Sequence, residues 1–151
     1  MEMWELIARE RIRDSLAGYT WSGDGLRLDR LASVFCEDGV LEVRGRPPFE
    51  GRDAIVAFLG GVGATPVAPS APAAKRIVRH NVTNVDFLQL EPTEARVATY
   101  FTVFTEIGLD HMGRYRDTFV PVGDEWLIRH RFVSTDWRSP DSTMAASSEV
   151  D

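Results

Sequence analysis

From Ile77 onward the apolar residues of this chain recur with a period of two, through four long stretches at 77–90, 95–107, 112–122 and 125–137. Val, Thr, Phe and Tyr dominate these stretches, the residue types that fill a pleated, half-buried surface. The connections are short and turn-like, Glu91-Pro92-Thr93, Gly108-Leu109-Asp110 and Val122-Gly123-Asp124. Such links suit hairpins, because parallel neighbours need crossovers of a dozen residues or more. The second half of the chain therefore reads as an antiparallel meander, and one face of it needs a cover.

The first half supplies that cover. Trp4, Ile7, Ala8, Ile12, Leu16 and Tyr19 recur at three- and four-residue steps, which predicts a helix over residues 3–19 with one apolar face. Ser22, Gly23, Asp24 and Gly25 break the pattern, and Leu28, Leu31, Ala32 and Phe35 restart it in a second helix ending near Cys36. Glu37-Asp38-Gly39 is a turn signal, followed by a short strand over Val40-Leu41-Glu42-Val43. After a loop with Pro47 and Pro48, residues 52–59 fit a third helix that stops at Gly60-Gly61. Residues 60–74, rich in Gly, Ala and Pro, read as a mobile loop or as a lid over a site. Three helices and a long curved sheet close on each other only if the helices lie in the concave face. The expected fold class is α+β: a cone-shaped α+β barrel, three N-terminal helices packed on the concave face of a curved, mainly antiparallel sheet, with a pocket inside. At 151 residues the chain suits one domain, 1–137, with 138–151 as a flexible C-terminal tail.

Composition removes several partner classes. A net charge of -6 works against nucleic acid, which needs a basic face to neutralise phosphates. The longest apolar run, Val97 to Phe104, is interrupted by Thr99 and Thr102 and falls short of the ~20 residues that span a bilayer. Acids stand at Glu2 and Glu5 where a secretory signal carries a basic region, so a cytoplasmic location is expected. His80, His111 and His130 show neither HxH nor HExxH spacing, and neither metal nor cofactor is expected. The single cysteine, Cys36, reads as a small buried apolar residue.

Asp24 closes the first helical segment and His80 opens a strand. An acid that orients an imidazole is the minimum apparatus for moving protons on a bound small molecule. Each residue also has a plainer role open to it: Asp24 as cap of the second helix, His80 as a satisfied strand histidine, Tyr19 as a helix-face core residue. Apolar walls from Phe35, Phe58, Phe87, Phe101 and Phe104 would exclude water from a pocket. Tyr100, Asn84, Tyr115 and Asp117 are candidates for contacting a substrate, although the last three read first as residues that bond backbone or neighbouring strands. His111, beside a hairpin turn, is expected to be solvated. His130 and Arg131 are strand neighbours, so one of them faces inward.

Six short motifs in order carry a family resemblance: Tyr19 then Asp24, Leu31 to Phe35, Phe49-Glu50-Gly51-Arg52-Asp53-Ala54-Ile55, Arg79-His80-Asn81-Val82-Thr83-Asn84, Gly113-Arg114-Tyr115-Arg116-Asp117, and Glu125-Trp126-Leu127-Ile128. Over residues 5–137 the chain resembles the SnoaL-like branch of the nuclear-transport-factor-two-like superfamily. The resemblance implies the cone fold. It also implies that Tyr19, Asp24 and His80 are similar to the tyrosine, aspartate and histidine of scytalone dehydratase, bile-acid dehydratase and lindane dehydrochlorinase, with Arg131 similar to an arginine at the cavity end of the last strand. In that pattern the aspartate fixes the imidazole, the histidine takes a proton and the tyrosine donates to the oxygen gaining charge. Where relatives carry a second histidine or aspartate on the strand after His80, this chain has Tyr100-Phe101-Thr102-Val103-Phe104, which leaves isomerisation, cyclisation or loss of a better leaving group more open than dehydration.

The expected function is a cofactor-free acid-base enzyme of dehydratase, isomerase or cyclase type, acting on a hydrophobic oxygenated molecule such as a polyketide- or steroid-like intermediate. A non-catalytic binding or accessory subunit is the second reading, required if Asp24 and His80 do not meet. Epoxide opening is the third, and it needs Asp24 beside another acid. Aromatic residues on the outer sheet face suggest a homodimer or homotrimer.

Overall fold

The structure, a computed structural model, describes residues 1–63 and 77–144. Helix α1 (Met3–Asp24) buries Ala8, Ile12, Leu16 and Tyr19 of the predicted stripe and adds Ser15, while Trp4 is half-buried and Ile7, 53% exposed, lies outside the buried face. It continues past residue 19 because the next turn is itself covered: Ser22 is fully buried, and Thr20 returns its hydroxyl to the Ala17 carbonyl at 3.1 Å. Tertiary burial overrides weak local breakers. The chain then reverses through Gly25 and through Leu26, which sits at φ 51°.

Helix α2 (Leu28–Ser33) is shorter than predicted, and Phe35 already belongs to strand β1 (Phe35–Val43). The expected turn at residues 37–39 is a bulge within that strand. Phe35 pairs with Ile128 and Val40 with His130, so five steps along β1 answer two on its partner. Gly39 makes this possible, since a Cβ there would stand 3.1 Å from the Ile128 carbonyl oxygen and 3.0 Å from that of Cys36. Strand β2 (Phe49–Glu50) folds back on β1, and helix α3 (Arg52–Gly63) follows. The predicted stop at Gly60-Gly61 does not occur. Gly60 lies against Leu28, where a Cβ would come within 3.3 Å of the leucine methyl, so the glycine serves helix packing rather than termination. The rest of the stretch expected to be a loop or lid, residues 64–74, lies outside the described residues.

Strands β3 (Val78–Glu91), β4 (Glu94–Thr105), β5 (Gly108–Val122) and β6 (Glu125–Arg138) form the predicted meander. The six-stranded sheet has the order β2-β1-β6-β5-β4-β3, with β1 parallel to β6 and every other pair antiparallel. The three helices pack against this curved sheet, with α1 on β3 and β6 and α3 on β1.

Five single-residue irregularities interrupt β3, β5 and β6, at Asn84, Leu88, Asp110, Arg129 and Asp136, and three of them bear on which side chains reach the site. Each breaks the ladder and switches the inward set between odd and even positions. On β3 the one nearer His80 is at Asn84, at φ 54°. On β5 it is at Asp110, between the pairs Val103–His111 and Phe104–Leu109. On β6 it is at Arg129, between the pairs of Ile128 with Phe119 and His130 with Thr118. β4 keeps strict alternation, burying Ala95, Val97, Thr99, Phe101, Val103 and Thr105.

Gly113 marks the tightest approach of β5 to β6: a Cβ there would lie 2.0 Å from the Ser134 carbonyl oxygen and 2.8 Å from the Phe101 ring. Backbone cannot yield as a flexible side chain can. Gly113→Ala should therefore cost about 2–3 kcal/mol, the scale of overpacking, read as a lower urea midpoint; an unchanged midpoint would mean that the two strands part freely.

Beyond β6, within the stretch expected to be a flexible tail, the chain is hydrogen-bonded back to β5 at Ser139 and Ser142. The Ser139 N–H donates to the Asp110 carbonyl at 2.7 Å, and the Ser142 hydroxyl donates to the Asp110 carboxylate at 2.6 Å. Serines that read as loop composition find a buried acceptor here. Residues 145–151 lie outside the described residues.

Candidate active site

Between the helices and the sheet lies a cavity of about 260 Å³ lined by residues from α1, α3 and every strand from β3 to β6. Asp24, the last residue of α1, and His80, on β3, meet on its wall. The His80 backbone N–H donates to Asp24 Oδ2 at 2.9 Å, and its Nδ1 lies 2.5 Å from Asp24 Oδ1. Both carboxylate oxygens thus go to one residue, which fixes position and ring orientation together. A carboxylate can only accept, so Nδ1 is the ring nitrogen that donates to it, and in a neutral ring the lone pair then falls on Nε2. Asp24 does not cap α2, whose N-cap residue is Arg27 and whose first turn has no side-chain capping bond.

The aromatic lining is a connected cluster. Tyr19 meets Tyr115 edge to face at 6.0 Å, and Tyr115 stacks on Phe101 at 4.6 Å. Burial raises the Tyr19 hydroxyl above its ordinary pKa, an effect that neighbouring Arg131 only partly opposes, and burial raises Tyr115 further. Both phenols keep their protons at neutral pH and remain donors.

Arg131 is inward and His130 is not. The His130 ring bonds Glu42 at 3.0 Å with 38% of its side chain exposed, whereas Arg131 is fully buried. Arg131 does not line the cavity, however. It lies behind the tyrosines, its guanidinium 4.2 Å from the Tyr19 ring centre and 4.1 Å from that of Tyr115. Nε and Nη2 each donate to Asp117 at 2.8 Å. Asp117 is thereby committed to Arg131 and not to a ligand.

Of the other candidates, Tyr115, Phe58 and Phe101 line the cavity. Asn84 is exposed at the β3 irregularity, and Tyr100 and Phe104, 54% and 44% exposed, occupy the outer face of β4. Alternation alone requires this once Phe101 is inside. Phe35 is buried in the core beside Tyr19, and Phe87 lies beneath Arg9, whose guanidinium is 4.3 Å from its ring centre. Cys36 is buried, as its type suggested.

The residue that sequence reading misplaced is His111. It is not solvated: it lines the cavity at 9% exposure. Its Nδ1 lies 2.7 Å from Asp110 Oδ1, and the same carboxylate accepts from Thr105 Oγ1 at 3.1 Å and from Ser142. The hairpin turns at Glu106-Ile107, two residues earlier than predicted, which draws His111 into the strand. Gly108, at φ 93°, was the available signal, since a left-handed glycine commonly follows a two-residue turn instead of opening one.

Burial holds the His111 imidazole below its ordinary 6.5, with Asp110 opposing only in part. For Asp110 burial acts upward, but hydrogen bonds from Ser142, His111 and Thr105 together hold it below the usual 3.8. The folded chain therefore binds fewer protons than the unfolded chain as pH falls past about 6.5, and stability is lost in that direction. The urea midpoint should drop between pH 7 and pH 5, and drop less in His111→Gln; parallel profiles would separate His111 from the acid sensitivity.

Among the described residues no helix is long and apolar enough to cross a membrane, and no cluster of three or more His, Cys, Asp or Glu could hold a metal ion. Asp24 is the only carboxylate among the described lining residues, so the paired acids needed for epoxide opening are not brought together there.

A family model described as a SnoaL-like domain matches residues 4–132. No curated protein matches the chain in sequence. Among solved structures, a Novosphingobium aromaticivorans protein provisionally named a scytalone dehydratase is 23% identical, with a TM-score of 0.76 and 97% of each chain covered. ActVI-ORFA from Streptomyces coelicolor is 21% identical, at a TM-score of 0.71, covering 85% of this chain and 96% of its own. A Nostoc punctiforme protein of unknown function with a cystatin-like fold is 17% identical, at a TM-score of 0.73, covering 91% and 95%. These likenesses establish the fold.

Proposed function

Given that the chain belongs to the SnoaL-like domain family, we propose that it is a cofactor-free acid-base enzyme of dehydratase, isomerase or cyclase type. The observation that supports this reading is the Asp24–His80 pair, doubly bonded and placed on the wall of a largely apolar cavity. His80 Nε2 takes a proton from a carbon next to a carbonyl or leaving group. Asp24 holds the proton on Nδ1 and stabilises the imidazolium that forms. Tyr19, kept protonated by burial, donates to the substrate oxygen that gains charge. Arg131 is not among the residues that line the cavity and acts as a positioning group against the two tyrosine rings.

The substrate class is a hydrophobic oxygenated molecule, polyketide- or steroid-like, because Leu26, Leu31, Leu41, Val43, Phe58 and Leu59 give the cavity a mainly apolar surface, with polar groups such as His80, His111, Tyr115 and Arg46 set among them. The dehydratase name of the Novosphingobium neighbour belongs to the same reaction class.

The test is turnover of nitrobenzisoxazole, a probe in which loss of a C–H proton to a base breaks the ring N–O bond and releases a coloured cyanophenolate. Wild-type protein should accelerate the reaction, and Asp24→Asn should slow it. The carboxylate accepts two bonds from His80, whereas an amide can accept one and must present its NH₂ to the other, which favours the wrong tautomer or a displaced ring. Equal rates in wild type and variant would move the assignment to passive binding.

The reading includes self-association. Tyr100, Phe104, Leu109, Met112 and Trp137 stand exposed on the outer sheet face, a surface suited to a second copy. Sedimentation as a single copy at micromolar concentration would remove this part.

A further inference from the structure

The proposed chemistry uses one imidazole, and the cavity holds another. His80 pairs with Val103 on one side and His111 pairs with the same Val103 on the other. The two backbones therefore stand two strand spacings apart, about 10 Å, with both rings on the wall of one cavity. Each ring has its own carboxylate: Asp24 for His80 and Asp110 for His111. The second carboxylate is the more completely enclosed, at 2% exposure, with Thr105 and Ser142 also donating to it.

A carboxylate holding that many donors serves more than ring orientation alone would need. Asp110 is the irregular residue of β5, and the irregularity turns both Asp110 and His111 inward, where a regular strand would send one outward. Asp110 also anchors the segment that brings Met144 onto the cavity. Because the carboxylate accepts from Nδ1–H, the neutral ring keeps a lone pair on Nε2, its remaining polar atom. An acceptor on the wall of a ligand cavity discriminates between ligands, since a molecule that brings no donor displaces water from it and leaves it unpaired.

We propose that His111, fixed by Asp110, accepts a hydrogen bond from a hydroxyl of the bound molecule, so that the cavity selects a phenol or enol whose hydroxyl lies on the far side of Val103 from His80. This deepens the proposed function and rests on it only in taking the cavity as the substrate site. No proton is transferred at His111; the hydroxyl keeps its proton and is held. The ring of such a compound sits against Phe101, itself edge to face with His111 at 5.9 Å.

β-Naphthol and its methyl ether are matched probes, alike except for the donor. Titration calorimetry of the full chain should give roughly tenfold tighter binding of the naphthol, the scale of a buried hydrogen bond whose loss strands its acceptor. His111→Phe should abolish the preference, His111→Gln should restore part of it through the amide oxygen, and His80→Ala should leave it intact. Imidazole ¹⁵N spectra of the wild-type chain should show His111 Nε2 unprotonated at pH 7 and shifted by naphthol alone, a readout independent of whether His111→Phe folds. Equal affinity for the two probes, absence of binding, a preference that survives His111→Phe, or one lost in His80→Ala would overturn the proposal. Loss of the preference argument with His80-dependent turnover intact leaves the enzyme reading standing, and the converse outcome leaves the His111 site standing.

Discussion

His80→Ala should reduce turnover of the nitrobenzisoxazole probe by about 10²–10⁴, the usual contribution of a positioned general base, which corresponds to about 3–5 kcal/mol of barrier. Stability should change far less than activity, because the His80 side chain is 21% exposed and its backbone N–H still reaches Asp24 Oδ2. Circular dichroism and the urea midpoint provide the control. A variant that keeps the wild-type rate would show that the acceleration comes from the medium of the apolar cavity and not from His80.

Asp117→Ala should cost about 3–5 kcal/mol, the penalty for leaving a buried charge without its partner. Arg131 has no exposed surface, its two hydrogen bonds to Asp117 are both 2.8 Å, and its guanidinium lies between two tyrosine rings that cannot supply an anion. Against a total stability of about 5–15 kcal/mol for a domain of this kind, that loss is large, and the urea midpoint should fall sharply. The double variant Asp117→Leu with Arg131→Met should recover much of it, because an apolar pair of similar volume carries no desolvation cost. Both variants should also slow the probe reaction, since Arg131 backs the rings of Tyr19 and Tyr115. A midpoint for Asp117→Ala within about 1 kcal/mol of wild type would mean that water reaches Arg131.

The irregular strand positions explain why the site was only partly legible. Asp24 and His80 were identifiable as an acid and an imidazole, yet 56 positions separate them, and nothing local brings them together. Arg131 and Asp117 were each recognisable as inward candidates. Their commitment to one another depends on β5–β6 register, which pairs those two residues directly. Tyr100 and Phe104 were misassigned through chemistry where alternation from Phe101 would have excluded them. His111 was lost to a turn placed two residues late.

What the sequence by itself determined is the set of properties carried by neighbours along the chain: the four long strands, the apolar stripe of α1, the positions of the hairpins to within two residues, and the family to which the order of motifs belongs. These follow from side-chain period and turn chemistry, which act over a few residues. Only the tertiary structure decided where helices end, that α3 runs through two glycines, that β1 lies parallel to β6, and which imidazoles share a cavity. Those outcomes depend on burial and strand register between segments distant in sequence, and a single extra residue in a strand, at Asn84, Asp110 or Arg129, reverses what faces inward without altering the composition on which a sequence reading rests.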